Sequence, residues 1–147
     1  MKKLFIAALF VVAAGSTAFA ADVTTKVNYK VKSNFESRFH GAQNVVWNAT
    51  NAYLKASFSI ADENVEAFFD GEGDLIGLSR KVDLKRLPLN AIQKIKKEYA
   101  SYRVKEAIEF DRDGDKSYFL SLEDGAKKQI LEVSLYGAVS KFKGFEK

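Results

Sequence analysis

Apolar residues spaced four positions apart recur twice along the chain and predict two short helices. The first set is Val27, Val31, Phe35 and Phe39, and the second is Leu87, Ala91, Ile95 and Tyr99. This spacing places the apolar side chains on one face of a helix. We therefore predict one helix from about Tyr29 to Phe39 and another from Leu87 to about Ala100.

A period of two follows each predicted helix and indicates strands with one buried face. The predicted strands cover 45–48, 51–60, 65–69 and 75–81 in the first half, and 102–110, 117–122, 128–135 and 139–145 in the second. Clusters of acids and glycines between them, such as residues 70–74, are typical of hairpin turns. The order predicts an α+β fold of two tandem helix-plus-four-stranded antiparallel sheet repeats, with the helices packed on one face of the sheet. The repeats cover about 27–82 and 87–147 within a single domain, residues 21–147.

The N-terminus has the three parts of a secretory signal peptide. Met1-Lys2-Lys3 is basic, residues 4–14 are apolar, and Ala18-Phe19-Ala20 fits a cleavage site. We predict that residues 1–20 are removed near Ala20 and that the protein is periplasmic or secreted. No later segment is long and apolar enough for a membrane span. The chain has no cysteine, so we expect neither disulfides nor a lipid anchor.

Charge argues against one class of partner. Removing residues 1–20 takes away two lysines, so Lys+Arg falls from 23 to 21 against 19 acidic residues, and the net charge falls from +4 to +2. Nucleic-acid binding calls for a clustered basic face. We therefore expect no nucleic acid as partner.

The sequence resembles the PepSY-like, or beta-lactamase-inhibitor-like, family of secreted or periplasmic bacterial proteins. The resemblance rests on a spaced apolar helix, a short strand ending in tryptophan, an aromatic strand, and a phenylalanine followed by a turn, a glycine and two aliphatic residues. In the first half these are Phe35 and Phe39, Val45-Val46-Trp47, 53–58, and Phe69 with Gly73-Asp74-Leu75-Ile76; in the second half they are Leu87-Pro88, Ile92, Ile95, Tyr99, Tyr118 and Gly137-Ala138-Val139. The resemblance implies a binding or inhibitory module, and it supplies no catalytic residues.

The candidate chemical motifs favour structural roles. Asp111-Arg112-Asp113-Gly114-Asp115 has its glycine at position 4, whereas a calcium-binding EF-hand loop needs it at position 6. A hairpin turn is the favoured interpretation of this segment, and a weak surface cation site is the alternative. His40 is the only histidine and ends the first predicted helix, where a cation complements the helix dipole. We expect no catalytic site, cofactor or metal.

A surplus of aromatic residues is the main functional signal. Tyr53, Lys55, Phe68 and Phe119 fall opposite the predicted core positions of their strands, which predicts an open, partly apolar face for a protein partner. The alternative is that these side chains cover one another. Trp47 is either a core anchor against a helix or an exposed binding anchor. We predict a non-catalytic exported binding module, an inhibitor or regulator of a protein partner in the cell envelope; the alternative is a carrier of a small apolar ligand held between helix and sheet.

Overall fold

The computed structural model describes residues 27–142, so the predicted signal peptide and its cleavage site near Ala20 lie outside the described residues. Two ten-residue helices are present, α1 (Tyr29–Arg38) and α2 (Leu89–Glu98), and a 3₁₀ turn (Leu84–Arg86) precedes α2. The strands are β1 (Gln43–Ala49), β2 (Leu54–Ile60), β3 (Glu63–Phe69), β4 (Leu75–Lys81), β5 (Arg103–Arg112), β6 (Asp115–Asp124), β7 (Lys127–Ser134) and β8 (Val139–Lys141).

The strands form one eight-stranded sheet in chain order, β1 to β8. The predicted α+β order of helix, four strands, helix, four strands is confirmed. Pro88 is the N-cap of α2 and does not lie inside its first turn. The Asn28 side chain caps α1 by accepting a hydrogen bond of 2.9 Å from the backbone N–H of Val31, which satisfies one of the otherwise unpaired donors at the helix start.

The chain divides after Ile76 into two compact units. In the first unit, α1 covers one face of β1–β3, and its buried residues are Val31 and Phe35. In the second unit, Ala91 and Ile95 of α2 pack in a core with apolar residues of β5, β6 and β7. Residues 78–81 of β4 pair with β5, and this pairing explains why most of β4 belongs to the second unit. The predicted repeat limits at 82 and 87 stay a prediction.

The two units share backbone details at equivalent positions. The N–H of Phe39 donates to the carbonyl of Phe35 at 2.9 Å, and 60 positions later Tyr99 donates to Ile95 at the same distance. The turns after β3 and β7 each contain a left-handed glycine, Gly73 (φ 95°) and Gly137 (φ 85°). Because φ is positive at both sites, glycine is the residue that fits without strain.

Polar side chains attach each helix to the turn of its own unit. Asn34 of α1 donates to the carbonyl of Gly73, and Asn90 of α2 donates to the carbonyl of Tyr136 at 3.0 Å. Within residues 27–142, no helix has the length and apolar character needed to cross a membrane.

Candidate functional site

Three of the predicted partner-binding residues lie together on the face opposite α1: Tyr53 directly before β2, Lys55 on β2 and Phe68 on β3. Lys55 is paired in register with Phe68, and the Tyr53 and Phe68 rings meet edge to face with centroids 5.4 Å apart. The prediction that these side chains are exposed is wrong: Tyr53 is 9%, Lys55 8% and Phe68 1% exposed. The aromatic rings cover each other, as the alternative interpretation held. A role for them in binding stays a prediction.

The buried Lys55 carries its charge next to a carboxylate. Its Nζ lies 2.7 Å from Oε1 of Glu66, and this pairing compensates the cost of taking an ammonium group out of water. Burial raises the pKa of the neighbouring Tyr53 above its ordinary value, and the charge of Glu66 raises it further. This cluster therefore pairs a buried lysine with a partly exposed glutamate beside two packed aromatic rings.

Phe119 lies on β6 in the second unit and is also buried, with 1% of its surface exposed. Its ring meets Phe142 edge to face at 5.7 Å, and it is paired in register with the buried Ile108. The expected exposure of Phe119 is therefore wrong as well, because Phe142, which directly follows β8, packs against its ring and Ile108 is its cross-strand neighbour on β5.

Trp47 lies on the face of β1 that α1 covers, so it does not share a face with Tyr53, Lys55 and Phe68. Its ring is edge to face with Phe35 of α1, with centroids 5.2 Å apart. The interpretation of Trp47 as an anchor packed against a helix is confirmed. The residue is nevertheless only half-buried, because a cavity opens beside its ring.

This aromatic cavity has a volume of about 360 Å³ and lies between α1 and β1. Its apolar lining includes Phe35, Phe39, Val45 and Trp47. The other residues that line it are Lys32, Glu36, His40, Gly41 and Ala42. Its size falls in the range of about 300–1,000 Å³ that is typical of ligand-binding pockets, and an apolar lining with a few polar groups is their usual composition.

Local sequence explains why the cavity forms there. Lys32, Phe35, Glu36 and Phe39 recur at helical spacing, so they share one side of α1. Gly41, with φ at 86°, turns the chain back so that β1 starts directly after the helix. Lys32 and Glu36, whose Nζ and Oε1 atoms are 4.0 Å apart, are both mostly exposed. The cavity thus combines aromatic walls with a nearly neutral polar border.

The strand beside the cavity is an edge strand. Among the described residues β1 pairs only with β2, and none of its seven residues is charged. Val46, on the face away from the cavity, is 65% exposed. The last strand in the order, β8, has only three residues and carries Lys141. Short or charged edge strands resist further pairing, so β1 is the more available edge.

The acidic turns are occupied by structural hydrogen bonds. Oδ1 of Asp70 accepts from the backbone N–H groups of Glu72 and Asp74, each at 2.9 Å. Oδ1 of Asp111 accepts from the N–H of Gly114 at 2.8 Å, which confirms the hairpin-turn interpretation of this segment. Within residues 27–142 no group of three or more potential ligands is placed to hold a metal ion.

Comparison with known proteins identifies the fold. No protein-family model matches the chain, and no curated protein matches it either. A BLIP-like protein of known structure from Bacteroides fragilis is 15% identical with a TM-score of 0.68; the match covers 85% of this chain and 94% of that one. The chain has the BLIP-like fold.

Two further structures share the BLIP-like fold. A DUF2874 family protein from Bacteroides uniformis is 14% identical with a TM-score of 0.70, and the match covers 77% of this chain and 86% of that one. A Bacteroides eggerthii protein with a provisional description as periplasmic is 11% identical with a TM-score of 0.69, covering 78% and 88%. The resemblance inferred from the spaced helix and the strand ending in Trp47 is confirmed at the level of the fold.

The sequence pointed to the aromatic cavity only in part: Trp47 was a candidate binding residue, and the carrier alternative placed a ligand between helix and sheet, but the other lining residues were not predicted as a site. Phe35 and Phe39 were assigned to a core-facing helix side, and Val45 to a short strand. The sequence contained one signal for the cavity. An uncharged strand follows a helix that has one apolar residue more than its contact with the sheet requires, and this indicates apolar surface that is only partly covered. The spacing between helix and strand, which decides whether a gap remains, depends on side-chain packing that periodicity does not describe.

Proposed function

We propose that the protein is a non-catalytic, exported binding protein that recognises a protein partner in the cell envelope. The observation that carries this proposal is the aromatic cavity next to the exposed, uncharged edge of β1. Buried aromatic anchor sites with a polar border are typical of protein-binding surfaces. The signal-peptide pattern and the BLIP-like fold, which the resemblance associates with inhibitory modules, support the same assignment.

The electrostatics of the described residues also support a binding role. Two of the least exposed carboxylates are held in ion pairs: Glu66 pairs with Lys55 at 2.7 Å, and Oε1 of Glu109 lies 2.9 Å from the Arg80 guanidinium. A general acid or base has to reach a substrate proton, and Glu109 is buried at 4% exposure. We therefore assign these groups to structure.

A carrier of a small apolar ligand is the second candidate, and the volume of the aromatic cavity favours it. A pocket of about 360 Å³ beside Phe39 and Trp47 is large enough for a small apolar molecule. Its side chains offer few polar groups to fix such a molecule in one orientation. The carrier hypothesis therefore predicts a ligand chosen by size and apolar surface.

Affinity capture and native mass spectrometry test the two candidates together. The purified protein is immobilised at micromolar concentration and exposed to an exported-protein extract, with excess free protein as competitor in a matched control. A binding protein captures a partner that the competitor removes. Failure to capture any competed partner counts against the main proposal, and a small molecule retained in the native mass spectrum supports the carrier.

A further inference from the structure

We propose that β1 accepts an extended segment of the partner protein as an additional strand, and that one apolar side chain of this segment enters the aromatic cavity. The inference rests on the proposed function and specifies the chemistry of its partner. Strand addition combines main-chain hydrogen bonds at a sheet edge with pockets for alternate side chains. The first unit has both components side by side: the sheet edge formed by β1 and the aromatic cavity next to it.

The hydrogen-bond pattern of β1 identifies the groups that are available. The N–H of Thr50 donates to the carbonyl of Tyr53 at 2.9 Å, and the register continues with Ala49 opposite Leu54 and Trp47 opposite Ala56. In an antiparallel pair, hydrogen-bonded and non-hydrogen-bonded residues alternate. Ala49 and Trp47 are therefore non-hydrogen-bonded positions, so their N–H and C=O groups point away from β2.

The side chains of β1 do not obstruct an added strand. Asn44, Val46 and Asn48 are exposed, and the strand contains no charge and no proline. Charged side chains and proline are the usual means by which an edge strand blocks pairing. An irregularity in the pairing with β2 lies between Gln43 and Val46, which leaves the regular part from Val46 to Ala49 for an incoming segment.

The aromatic cavity lies on the side where an added strand would place alternate residues. Val45 and Trp47 of β1 both line it. A neighbouring strand lies about 4.7–4.9 Å away and projects every second side chain to the same face. An apolar residue of the incoming segment would thus lie beside Trp47 and fill the aromatic cavity, which Phe39 also lines.

A second copy of this chain fits the site less well than a foreign segment. If two β1 strands paired, each would bring Trp47 and Val45 to this face, but the Trp47 ring already packs against Phe35 of its own unit. Val45 likewise lines the cavity of its own unit, so neither copy would have an apolar side chain to spare for the cavity of the other. A partner segment with alternating apolar residues can both pair with β1 and supply an apolar side chain to the aromatic cavity.

The test uses random linear peptides displayed in a library and selected on the purified protein. Trp47 is the only tryptophan of the chain, so its fluorescence reports occupancy of the cavity. Ala49→Pro removes an outward N–H without removing a hydrogen bond to β2, and proline is compatible with an edge strand. We expect selected peptides to bind Ala49→Pro at least about tenfold more weakly, a loss of about 1.4 kcal/mol.

Lys141→Pro is the matched control on the other edge strand. The N–H of Phe142 donates to Ile130, so Lys141, paired with Leu131, also has an outward N–H. Peptide affinity is expected to be unchanged in this variant.

Val46→Lys provides a second edge variant if Ala49→Pro does not fold, and Ala42→Leu narrows the cavity. Both are expected to weaken binding, as is replacing the apolar residue of the peptide with alanine.

Three outcomes would overturn the inference. The first is a selection that yields no peptide sensitive to the edge variants. The second is equal affinity for N-acetylphenylalaninamide, which has the side chain without a strand. The third is self-association that Ala49→Pro abolishes, which would make a second copy the occupant. A natural partner captured equally by wild type and Ala49→Pro would remove the inference while leaving the proposed function intact.

Discussion

Alanine in place of Gly77 is expected to destabilise the protein, because β4 has no room for a Cβ atom there. A Cβ built on Gly77 would lie 2.7 Å from Cζ of Phe110 and 2.8 Å from the carbonyl oxygen of Asp111. Both distances are well below ordinary van der Waals contact. The φ angle at Gly77 is not positive, so space and not backbone conformation requires glycine.

The size of the effect follows from what would have to move. Phe110 is 4% exposed, and the guanidinium of Arg112 lies 5.7 Å from its ring centroid, so the ring has little freedom to rotate away. The carbonyl of Asp111 belongs to the backbone of β5. Adding a methyl group to such a site typically costs about 1–3 kcal/mol. A loss of about 2 kcal/mol changes the folding equilibrium by about 30-fold.

Chemical denaturation and thermal melting measure this loss, and Gly71→Ala is the matched control. No heavy atom lies within 4 Å of a Cβ at Gly71, so alanine there is expected to be neutral or to stabilise by about 0.4–1 kcal/mol through the unfolded state. Gly77→Ala is expected to lower the Tm by about 4–10 °C. Equal melting temperatures for the two variants would show that the clash does not exist.

Three further predictions concern the first unit. Burial and Glu66 raise the pKa of Tyr53, so this group should not change the free energy of unfolding below about pH 10. The free energy of unfolding should then fall as pH rises through the raised pKa. In urea denaturation at increasing pH, Tyr53→Phe should lack this fall. Glu66→Gln should destabilise the protein by about 1–3 kcal/mol, because it leaves the Lys55 ammonium buried without its carboxylate. Lys55→Met should destabilise the protein less, because no buried charge remains. A larger loss of stability in Lys55→Met than in Glu66→Gln would refute this account. Phe35→Ala should cost about 3–5 kcal/mol and shift Trp47 emission to the red, and an unshifted spectrum would contradict their contact.

The elements of the fold were predictable because they depend on local spacing. Val31 and Phe35 predicted the buried side of α1, and alternation along β2 separated Ala56 and Phe58 from Lys55 correctly. Their burial follows from helix and strand geometry, which sequence spacing encodes directly.

The predicted site could not be derived in the same way. Alternation places Lys55 and Phe68 each on the side of its own strand opposite the predicted core, but it does not show whether that side is covered. Their burial depends on neighbours such as Tyr53 and Glu66, which become neighbours only once the register is known. Trp47 was grouped with them by residue type, although its position on β1 directs it to the other face. Residue type indicates what a side chain can bind, and only packing shows what it meets.

The contacts between each helix and its turn have a consequence for the order of folding during synthesis. The side-chain bond from Asn34 to Gly73 spans 39 residues, and that from Asn90 to Tyr136 spans 46. Chains emerge from the ribosome N-terminus first, so the first contact becomes possible once residue 73 is free, long before residue 136. We therefore expect the first unit to gain protection against proteases while the second is still incomplete. The two units of the duplicated architecture would then fold one after the other during synthesis.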